Sequence, residues 1–307
     1  MLDQPHSWDT CGVNPLIQAT EAIALTGFGA LGYGLAEAQS FTIRHTTMRN
    51  PNFDFDELRI LHLSDLHITP AQTRKINWVK SLSELKPDLT VVTGDFLAHL
   101  QAVPAVVEAL DTLLDGPGMF VFGSNDYFAP EFKNPFKYFN KSRMINPEGT
   151  SLPTEELRTQ LTDAGWTDLN NRSEFVTVNG IAIDARGTDD PHIHKDDYTK
   201  VAGPFRNDAL RLGVTHAPYL RVLNQFVADD TQIILAGHTH GGQVCIPFYG
   251  ALVTNCDLPA KLAKGSSEIS DAGKSSALHV SAGVGTSPFT PVRVACRPEA
   301  TLLTLTK

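Results

Sequence analysis

The sequence predicts a layered α/β fold for most of its 307 residues. Short apolar runs alternate along the chain with longer stretches of helical periodicity, which is the pattern of sheets covered by helices. Polar residues and glycines directly follow several of the apolar runs, as expected where strands end in turns. Hydrophobic residues make up 42% of the chain and charged residues 19%, so a large core can form without help from disulfides.

The elements follow in chain order from their periodicity. The predicted strands are the short apolar runs at residues 58–63, 89–93, 119–122, 180–185, 210–214, 231–236, 277–281 and 300–305. The predicted helices are the longer stretches at residues 71–85, 103–114, 154–164 and 218–227. Thr154 with two glutamates directly behind it is a favourable helix start.

The N-terminal segment has two interpretations. Residues 22–36 carry no charge and are rich in glycine, but they are shorter than the roughly 20 residues that span a bilayer. No Lys or Arg precedes them, so the basic region of a secretory signal is missing. We expect a helix that packs on the domain, with membrane attachment as the alternative. The predicted organisation is an N-terminal segment at 1–50 and one domain at 51–307, in a cytoplasmic protein with peripheral membrane contact as an option.

Charge and cysteine content exclude several classes of protein. The formal net charge is −9, which disfavours a general nucleic-acid binder. Cys11, Cys245, Cys256 and Cys296 show no C-x-x-C spacing, so zinc ribbons and thioredoxin-type redox sites are excluded. Buried free thiols are the expected state of Cys245 and Cys256.

A carboxylate and an imidazole stand two residues apart at the end of the first apolar run. In "ILHLSDLHIT", residues 60–69, the run gives way to Asp65 and His67. If the backbone stays extended past the strand, both side chains point the same way and can converge on one ion. Oxygen with imidazole nitrogen suits Zn, Mn or Fe. For this pair alone, a solvated turn is the simpler interpretation.

Four further apolar runs end in residues of the same type. The residues that follow these runs are Asp95, the turn Gly123-Ser124-Asn125-Asp126, His216, and the pair His238 and His240. Open α/β sheets bind ligands at the carboxyl ends of their strands. Agreement among five independent strand ends predicts a metal site at one edge of the sheets.

The order of these motifs resembles that of the calcineurin-like metallophosphoesterases. D-x-H, then G-D, then a turn of G-N type, then a single His and finally G-H-T-H appear between residues 58 and 305. The stretch "GHTHGGQVCIPFYGALVTN" and the ending "GTSPFTPVRVACRPEATLLTL" resemble the bacterial YkuE-like branch. The resemblance implies a four-layer αββα sandwich and a dinuclear metal site that hydrolyses phosphoesters with a metal-bound hydroxide.

The resemblance also implies a ligand set. Asp65, His67, Asp95 and His240 would hold one of two divalent ions, which could be Mn, Fe or Zn. The second ion would be held by His216 and His238, with Asp95 as the bridge and an amide from the turn as a further ligand.

The turn at residues 123–126 departs from the family pattern of G-N-H followed by an acid. Without a gap, Ser124 replaces the amide ligand and Asn125 replaces the histidine that assists the leaving group. A shift of one residue makes Asn125 the ligand and puts Asp126 in the histidine's place. We favour Asn125 because an amide carbonyl is the better metal donor, and Asp126 then becomes the candidate proton donor.

Three other segments are interpreted on local grounds. Residues 127–171 are predicted to be an insertion over the active-site face, in which Lys133, Lys137, Lys141 and Arg143 either attract an anionic phosphate or form a solvated face. His62, inside a strand, is expected to be a hydrogen-bonded core histidine. The segment "GTDDPHIH", residues 187–194, is expected to be an exposed loop.

These inferences predict an enzyme that hydrolyses a phosphomonoester, a phosphodiester or a pyrophosphate. The expected substrate is a phosphorylated small molecule, and nucleic acid is not expected as a partner. One alternative is an enzyme at a membrane surface that acts on a lipid-linked phosphate. The other is a non-catalytic metal-binding scaffold, which only the missing turn histidine supports.

Overall fold

The structure is a computed structural model that describes residues 15–50, 52–131 and 149–307, with side chains in the first helix from residue 26 onward. That helix, α1, covers Pro15–Glu37 and includes the uncharged segment. No helix within the described residues is long and apolar enough to cross a membrane. The four basic residues predicted in the insertion lie outside the described residues.

Two six-stranded sheets form the centre of the molecule. The first sheet contains, in spatial order, β1 (Thr42–Arg49), β14 (Glu299–Thr306), β2 (Glu57–Leu63), β3 (Leu89–Thr93), β4 (Gly118–Val121) and β5 (Thr167–Asp168). The second sheet contains β12 (Gly265–Asp271), β13 (Lys274–Val280), β9 (Ile233–Ala236), β8 (Leu210–Val214), β7 (Ile181–Gly187) and β6 (Arg172–Val178). The strands next to the predicted ligands are parallel, so their carboxyl ends meet at one edge of each sheet.

Helices cover the outer face of each sheet, and this gives the expected four layers. The described longer helices beyond α1 are α2 (Thr73–Ser81), α3 (Val103–Leu110), α5 (Thr154–Asp163) and α6 (Leu220–Ala228), and α4 (Ser124–Tyr127) is a single turn. The first three pack on the first sheet and α6 packs on the second. Apolar side chains from the two inner sheet faces form a third cluster between the sheets.

Side-chain alternation along β2 shows how the sequence makes these layers. Leu58 and Ile60 point into the cluster between the sheets, whereas Leu61 and Leu63 point into the cluster under the helices. His62 faces the inner side, where its ring nitrogens bond Nδ1 of His279 at 2.8 Å and Oγ1 of Thr93 at 3.0 Å. The prediction of a hydrogen-bonded core histidine is therefore confirmed.

Several elements of the structure lie in segments that the sequence analysis interpreted differently or did not assign. β1, which lies in the predicted N-terminal segment 1–50, pairs along its whole length with β14 of the first sheet. α5 and β5, in the predicted insertion, belong to the outer layer and to the first sheet. The hairpin of β10 (Cys245–Ile246) and β11 (Gly250–Ala251) lies outside both sheets. Within the described chain the thiols of Cys245, Cys256 and Cys296 are free, and Cys256 is only half-buried.

Candidate metal centre

The five predicted strand ends meet at one edge of the sandwich. Strands β2, β3 and β4 contribute residues from the first sheet, and β8 and β9 contribute residues from the second. The predicted ligands gathered here are Asp65, His67, Asp95, Asn125, His216, His238 and His240. The structure thus brings together the whole set that the sequence pointed to.

Left-handed turns, and not extended backbone, make Asp65 and His67 converge. Their φ angles are 51° and 43°, so the expected extended geometry is wrong. The turn is held by backbone bonds of 2.9 Å from Asp65 to the carbonyl of Gly94 and from His67 to that of Asp95. Lys75, buried behind the turn, donates to the carbonyl of His67 at 3.1 Å. These bonds stabilise a conformation that costs a non-glycine residue about 1–3 kcal/mol.

The carboxyl end of β3 needs glycine because other chain segments approach it closely. Gly94 has φ 87°, and a Cβ there would lie 2.6 Å from the amide nitrogen of Gly123 and 2.7 Å from Nδ1 of His216. Both distances are below van der Waals contact. A side chain at this position would push the turn and the histidine apart.

Three of the histidines are anchored through one ring nitrogen to a backbone carbonyl. A carbonyl only accepts, so the ring must donate, and this leaves its other nitrogen as a lone-pair ligand. The anchoring bonds join Nδ1 of His216 to Thr93 at 2.6 Å, Nδ1 of His240 to Gly285 at 3.2 Å, and Nε2 of His238 to Asn255 at 3.3 Å. This arrangement is typical of metal-binding histidines.

The remaining ring nitrogens converge in two pairs. Nε2 of His67 lies 3.3 Å from Nε2 of His240, and Nε2 of His216 lies 3.3 Å from Nδ1 of His238. One oxygen of Asp95, Oδ2, lies 3.5 Å from Nε2 of His67 and 3.6 Å from Nε2 of His216. Asp95 therefore stands between the two pairs, as a bridging carboxylate would.

The donor set fits divalent metal ions. Single donor atoms of Asp65, His67 and His240 lie within 4.8 Å of one another, and so do those of Asp65, Asp95 and His216. Oδ1 of Asp65 is buried and has no hydrogen-bond partner among the described residues. Burying a carboxylate oxygen without a partner is costly unless a cation neutralises it. Carboxylate and imidazole together favour Mn, Fe or Zn over Ca.

The charges of the site create the same demand for a cation. Burial works against a charge on His216, but the carboxylates of Asp95, Asp190 and Asp65 outweigh it and raise its pKa to about 9. Burial also raises the pKa of Asp95. A metal ion would supply the positive charge that a proton on His216 otherwise provides.

The turn after β4 brings Asn125 to the site. The backbone N–H of Asn125 donates to Oδ1 of Asp95 at 2.8 Å, and its side-chain amide contacts Oδ2 at 2.8 Å. Ser124 begins α4 and is half-buried. This contact favours Asn125 over Ser124 as the amide ligand.

Asp126 has a different environment from the one that a proton donor needs. It is fully buried, and its oxygens accept backbone N–H groups from Asp95 at 2.8 Å, Phe96 at 2.7 Å, Leu97 at 3.0 Å and Gly123 at 2.9 Å. Burial, and then the charge of Asp95, raise the pKa of Asp126 to about 8, but both oxygens are engaged. Its geometry fits a residue that holds the strand end and the turn together, and does not fit the predicted catalytic role.

The loop after β7 contributes two residues that the sequence interpretation missed. "GTDDPHIH" was expected to be exposed, but Asp190 and His192 are buried there. The ring of His192 lies 4.3 Å from that of His238, centroid to centroid, and its Nδ1 bonds the hydroxyl of Tyr219 at 2.9 Å. The sequence signal that could have identified them is the one used for the other ligands, because these polar residues directly follow a strand, β7, that is parallel to β8.

Comparison with known proteins points to one family. The family model described as calcineurin-like phosphoesterase matches residues 58–242, which include every ligand named above. The metallophosphoesterase YkuE of Bacillus subtilis is 25% identical over 302 residues, covering 94% of this chain and 93% of that protein. The phosphodiesterase YaeI of Escherichia coli is 25% identical over 297 residues, covering 94% of this chain and 97% of that protein.

Among solved structures, the protein TT1561 of Thermus thermophilus aligns over 72% of this chain and 88% of that chain. Its TM-score is 0.38 and its sequence identity is 11%.

Proposed function

The chain belongs to the calcineurin-like phosphoesterase family and is a metal-dependent phosphoester hydrolase, and we propose that its site holds two divalent ions bridged by Asp95. The proposal is carried by one observation. Three histidines are each fixed by a backbone carbonyl so that their other nitrogen is directed into the site, and Oδ2 of Asp95 stands between the two pairs of imidazoles.

Each residue has a part in this proposal. His67 and His240, with Asp65, form one group, and His216 and His238 form the other, completed by the side-chain amide of Asn125. Two divalent ions bound here would neutralise the phosphate oxygens and lower the pKa of water, so that hydroxide attacks phosphorus at neutral pH.

The protein's own residues prepare the site for this reaction. The carbonyl anchors of His216, His238 and His240 fix which ring nitrogen faces the site, and a proton on His216 would be displaced when a metal ion binds. Asp126 fixes the strand end that carries Asp95 by accepting its backbone N–H. The histidines of the site have low exposure, and His240 is the most open of the four at 17% side-chain exposure.

A metal titration with two substrates tests the proposal. The purified chain is stripped with a chelator and reloaded separately with Mn²⁺, Fe²⁺ or Zn²⁺, and bound metal is measured by elemental analysis. Hydrolysis of p-nitrophenyl phosphate and bis-p-nitrophenyl phosphate should return in step with two ions per chain. Full activity at one ion per chain would contradict the dinuclear site. Tight binding of two ions without hydrolysis of any phosphoester would favour the metal-binding scaffold.

The proposal also includes a class of substrate and a cellular location. We propose a phosphorylated small molecule as the substrate, whose charge the basic residues Lys133, Lys137, Lys141 and Arg143 would attract. Neutralising all four should raise KM for a highly charged phosphate, and added salt should mimic the change. An unchanged KM would show that the four residues form a solvated surface.

A cytoplasmic location is tested with a reporter fused to the full chain, and export of the reporter would contradict it.

A further inference from the structure

Three segments with exposed apolar side chains are joined by hydrogen bonds beside the His240 side of the metal centre. We define this apolar face by the exposed large hydrophobic residues of three segments: Phe28, Leu31, Tyr33 and Leu35 on α1, Val244, Ile246, Phe248, Tyr249, Leu252 and Val253 around the β10–β11 hairpin, and Phe289 on the loop before β14. Contiguous apolar patches of this kind on a protein surface mark interaction sites.

The helix on this face is apolar on every side and exposed. Residues 26–33 of α1 are all exposed, and the helix becomes buried only at Gly34. Apart from the backbone of the helix itself, no described atom lies within 4 Å of the Cβ positions at Gly27, Gly29 and Gly32. A helix that is hydrophobic all round needs apolar surroundings on all sides. A groove on a partner protein would cover a narrow strip of it, whereas the headgroup and acyl boundary of a bilayer can bury a broad apolar surface.

The hairpin adds a protruding aromatic tip. Phe248 stands between β10 and β11 with its side chain fully exposed, and Tyr249 beside it is 75% exposed. An aromatic side chain left in water forgoes the favourable free energy of burying its apolar surface. Tyr is typical of membrane-interface contacts, because its ring can lie in apolar surroundings while its hydroxyl stays in water. Phe248 beside it adds a wholly apolar ring to the contact.

The three segments form one surface because backbone bonds join them. The N–H of Arg293 donates to the carbonyl of Gly34 in α1 at 3.0 Å, and the N–H of Cys245 in β10 donates to the carbonyl of Val294 at 2.8 Å. The side chain of Gln243 donates to the carbonyl of Thr290 at 2.9 Å. The loop before β14 therefore lies between the helix and the hairpin and holds both.

The three segments of this face carry no charged residues of their own. Residues 22–36, 238–256 and 282–292 contain no Asp, Glu, Lys or Arg, in a chain with 25 basic and 34 acidic residues. Charged side chains lie at the margin of the face, where Tyr33 bonds Glu37 near Arg297 and where Lys264 approaches Gly241. An apolar centre of Phe, Tyr, Leu, Val and Gly with charges at its edge matches the headgroup and acyl boundary of a bilayer.

We propose that the apolar face docks the protein on the surface of a lipid bilayer. In this arrangement α1 lies at the headgroup boundary and Phe248 and Tyr249 insert beside it. The metal centre is close to the docked side, because His240 and Arg293 both donate to the carbonyl of Gly285, at 3.2 and 2.7 Å. Docking does not require metal or hydrolysis, so it can hold or fail independently of the proposed function.

Vesicle binding of the full chain tests the proposal. We expect the protein to co-sediment with vesicles of pure phosphatidylcholine, and about 0.5 M salt should not release it, because the side chains that insert are uncharged. The double variant Phe248→Ser with Tyr249→Ser should partition at least about tenfold more weakly, since it removes two apolar side chains from the contact. Both positions are exposed in the structure, so folding should be unaffected.

The matched control is Phe175→Ser. Phe175 is 44% exposed on β6, the edge strand at the far end of the second sheet from β12. It changes the same kind of exposed ring outside the apolar face and should leave partitioning unchanged. As an independent readout, Phe248→Trp should show blue-shifted emission with vesicles and quenching by brominated lipid.

Three results would overturn the proposal. The full chain could fail to bind the vesicles, or the double variant could bind as well as the Phe175→Ser control. Alternatively, the double substitution could convert a dimer into a monomer in gel filtration without any vesicle binding, and the face would then be covered by a second copy of the chain. Hydrolysis of a soluble ester, measured on each variant, separates these outcomes from failure of the metal centre.

Discussion

Two groups of buried histidines lie within the same sandwich and have different contacts. His62 and His279 bond each other across the space between the sheets, and the second nitrogen of His62 contacts Thr93. At the edge of the sandwich, His216 and His240 each use one nitrogen to bond a backbone carbonyl and direct the other towards a carboxylate.

The difference teaches how to tell a structural histidine from a ligand. Burial does not separate them, because His62 and His216 are both fully buried. What separates them is the partner of the second nitrogen. The pKa does not separate the two groups either, because burial lowers it at His62 and also at His67, His238 and His240. Only at His216 do nearby carboxylates outweigh burial and raise the pKa to about 9. A buried imidazole surrounded by carboxylates needs a proton or a metal ion.

The largest effect is expected where the two pairs of ligands meet. Asp95→Ala removes the carboxylate between them, so at least one ion should be lost and hydrolysis should fall by about a thousandfold or more, since metal ions contribute several kcal/mol to such reactions. Elemental analysis and hydrolysis rates check this. Two ions retained per chain in Asp95→Ala would show that this residue does not bridge.

Substituting one histidine from each group tests whether the two groups differ in function. His216→Ala should weaken metal binding by about 10–100-fold or more, because a ligand is lost. His62→Ala should leave metal stoichiometry unchanged but lower the free energy of unfolding by about 1–3 kcal/mol, since His279 and Thr93 lose a buried partner. Metal titration and urea unfolding of both variants separate these effects. Metal loss in His62→Ala at full stability would invalidate the distinction.

A substitution in the turn after β4 is expected to have a smaller effect on metal binding at the same centre. Asn125→Ala should lower occupancy of one ion and raise its dissociation constant about tenfold, because the amide contact with Asp95 is lost. Ser124→Ala is the matched control and should bind metal normally. The opposite pattern would restore the ungapped alignment, in which Ser124 takes the ligand position.

The smallest effect on chemistry is expected for Asp126→Asn. Replacing one oxygen by an amide group removes acceptors from backbone N–H groups, so unfolding should become easier by about 1–3 kcal/mol. Hydrolysis of alkyl and p-nitrophenyl phosphates should slow by the same factor. A much larger loss with the alkyl ester, whose leaving group needs a proton, would restore the role of Asp126 as proton donor.

The strand ends were readable from the sequence because their signal is local. An apolar run of fixed length, followed at once by Asp or His, marks both the strand and the ligand at positions such as Asp95 and His216. The observed β3 and β8 have the predicted bounds. The strands β6 and β12 were missed because neither contains a long apolar run. Polar residues flank and interrupt Phe175, Val176 and Val178 in β6, and Ile269 is isolated among polar residues in β12.

Only the tertiary structure decided how these parts meet. The left-handed turns of Asp65 and His67 depend on carbonyls that follow β3 and on Lys75 of α2, all of which lie outside the strand that ends there. The burial of His192 and the joining of α1 to the hairpin likewise depend on segments far along the chain. Sequence periodicity reports what each residue does to its near neighbours, and so it determined the elements and the ligand types. Which nitrogen is anchored, which carboxylate lies between two imidazoles and which apolar surface stays uncovered are set by contacts between distant segments, which no local pattern encodes.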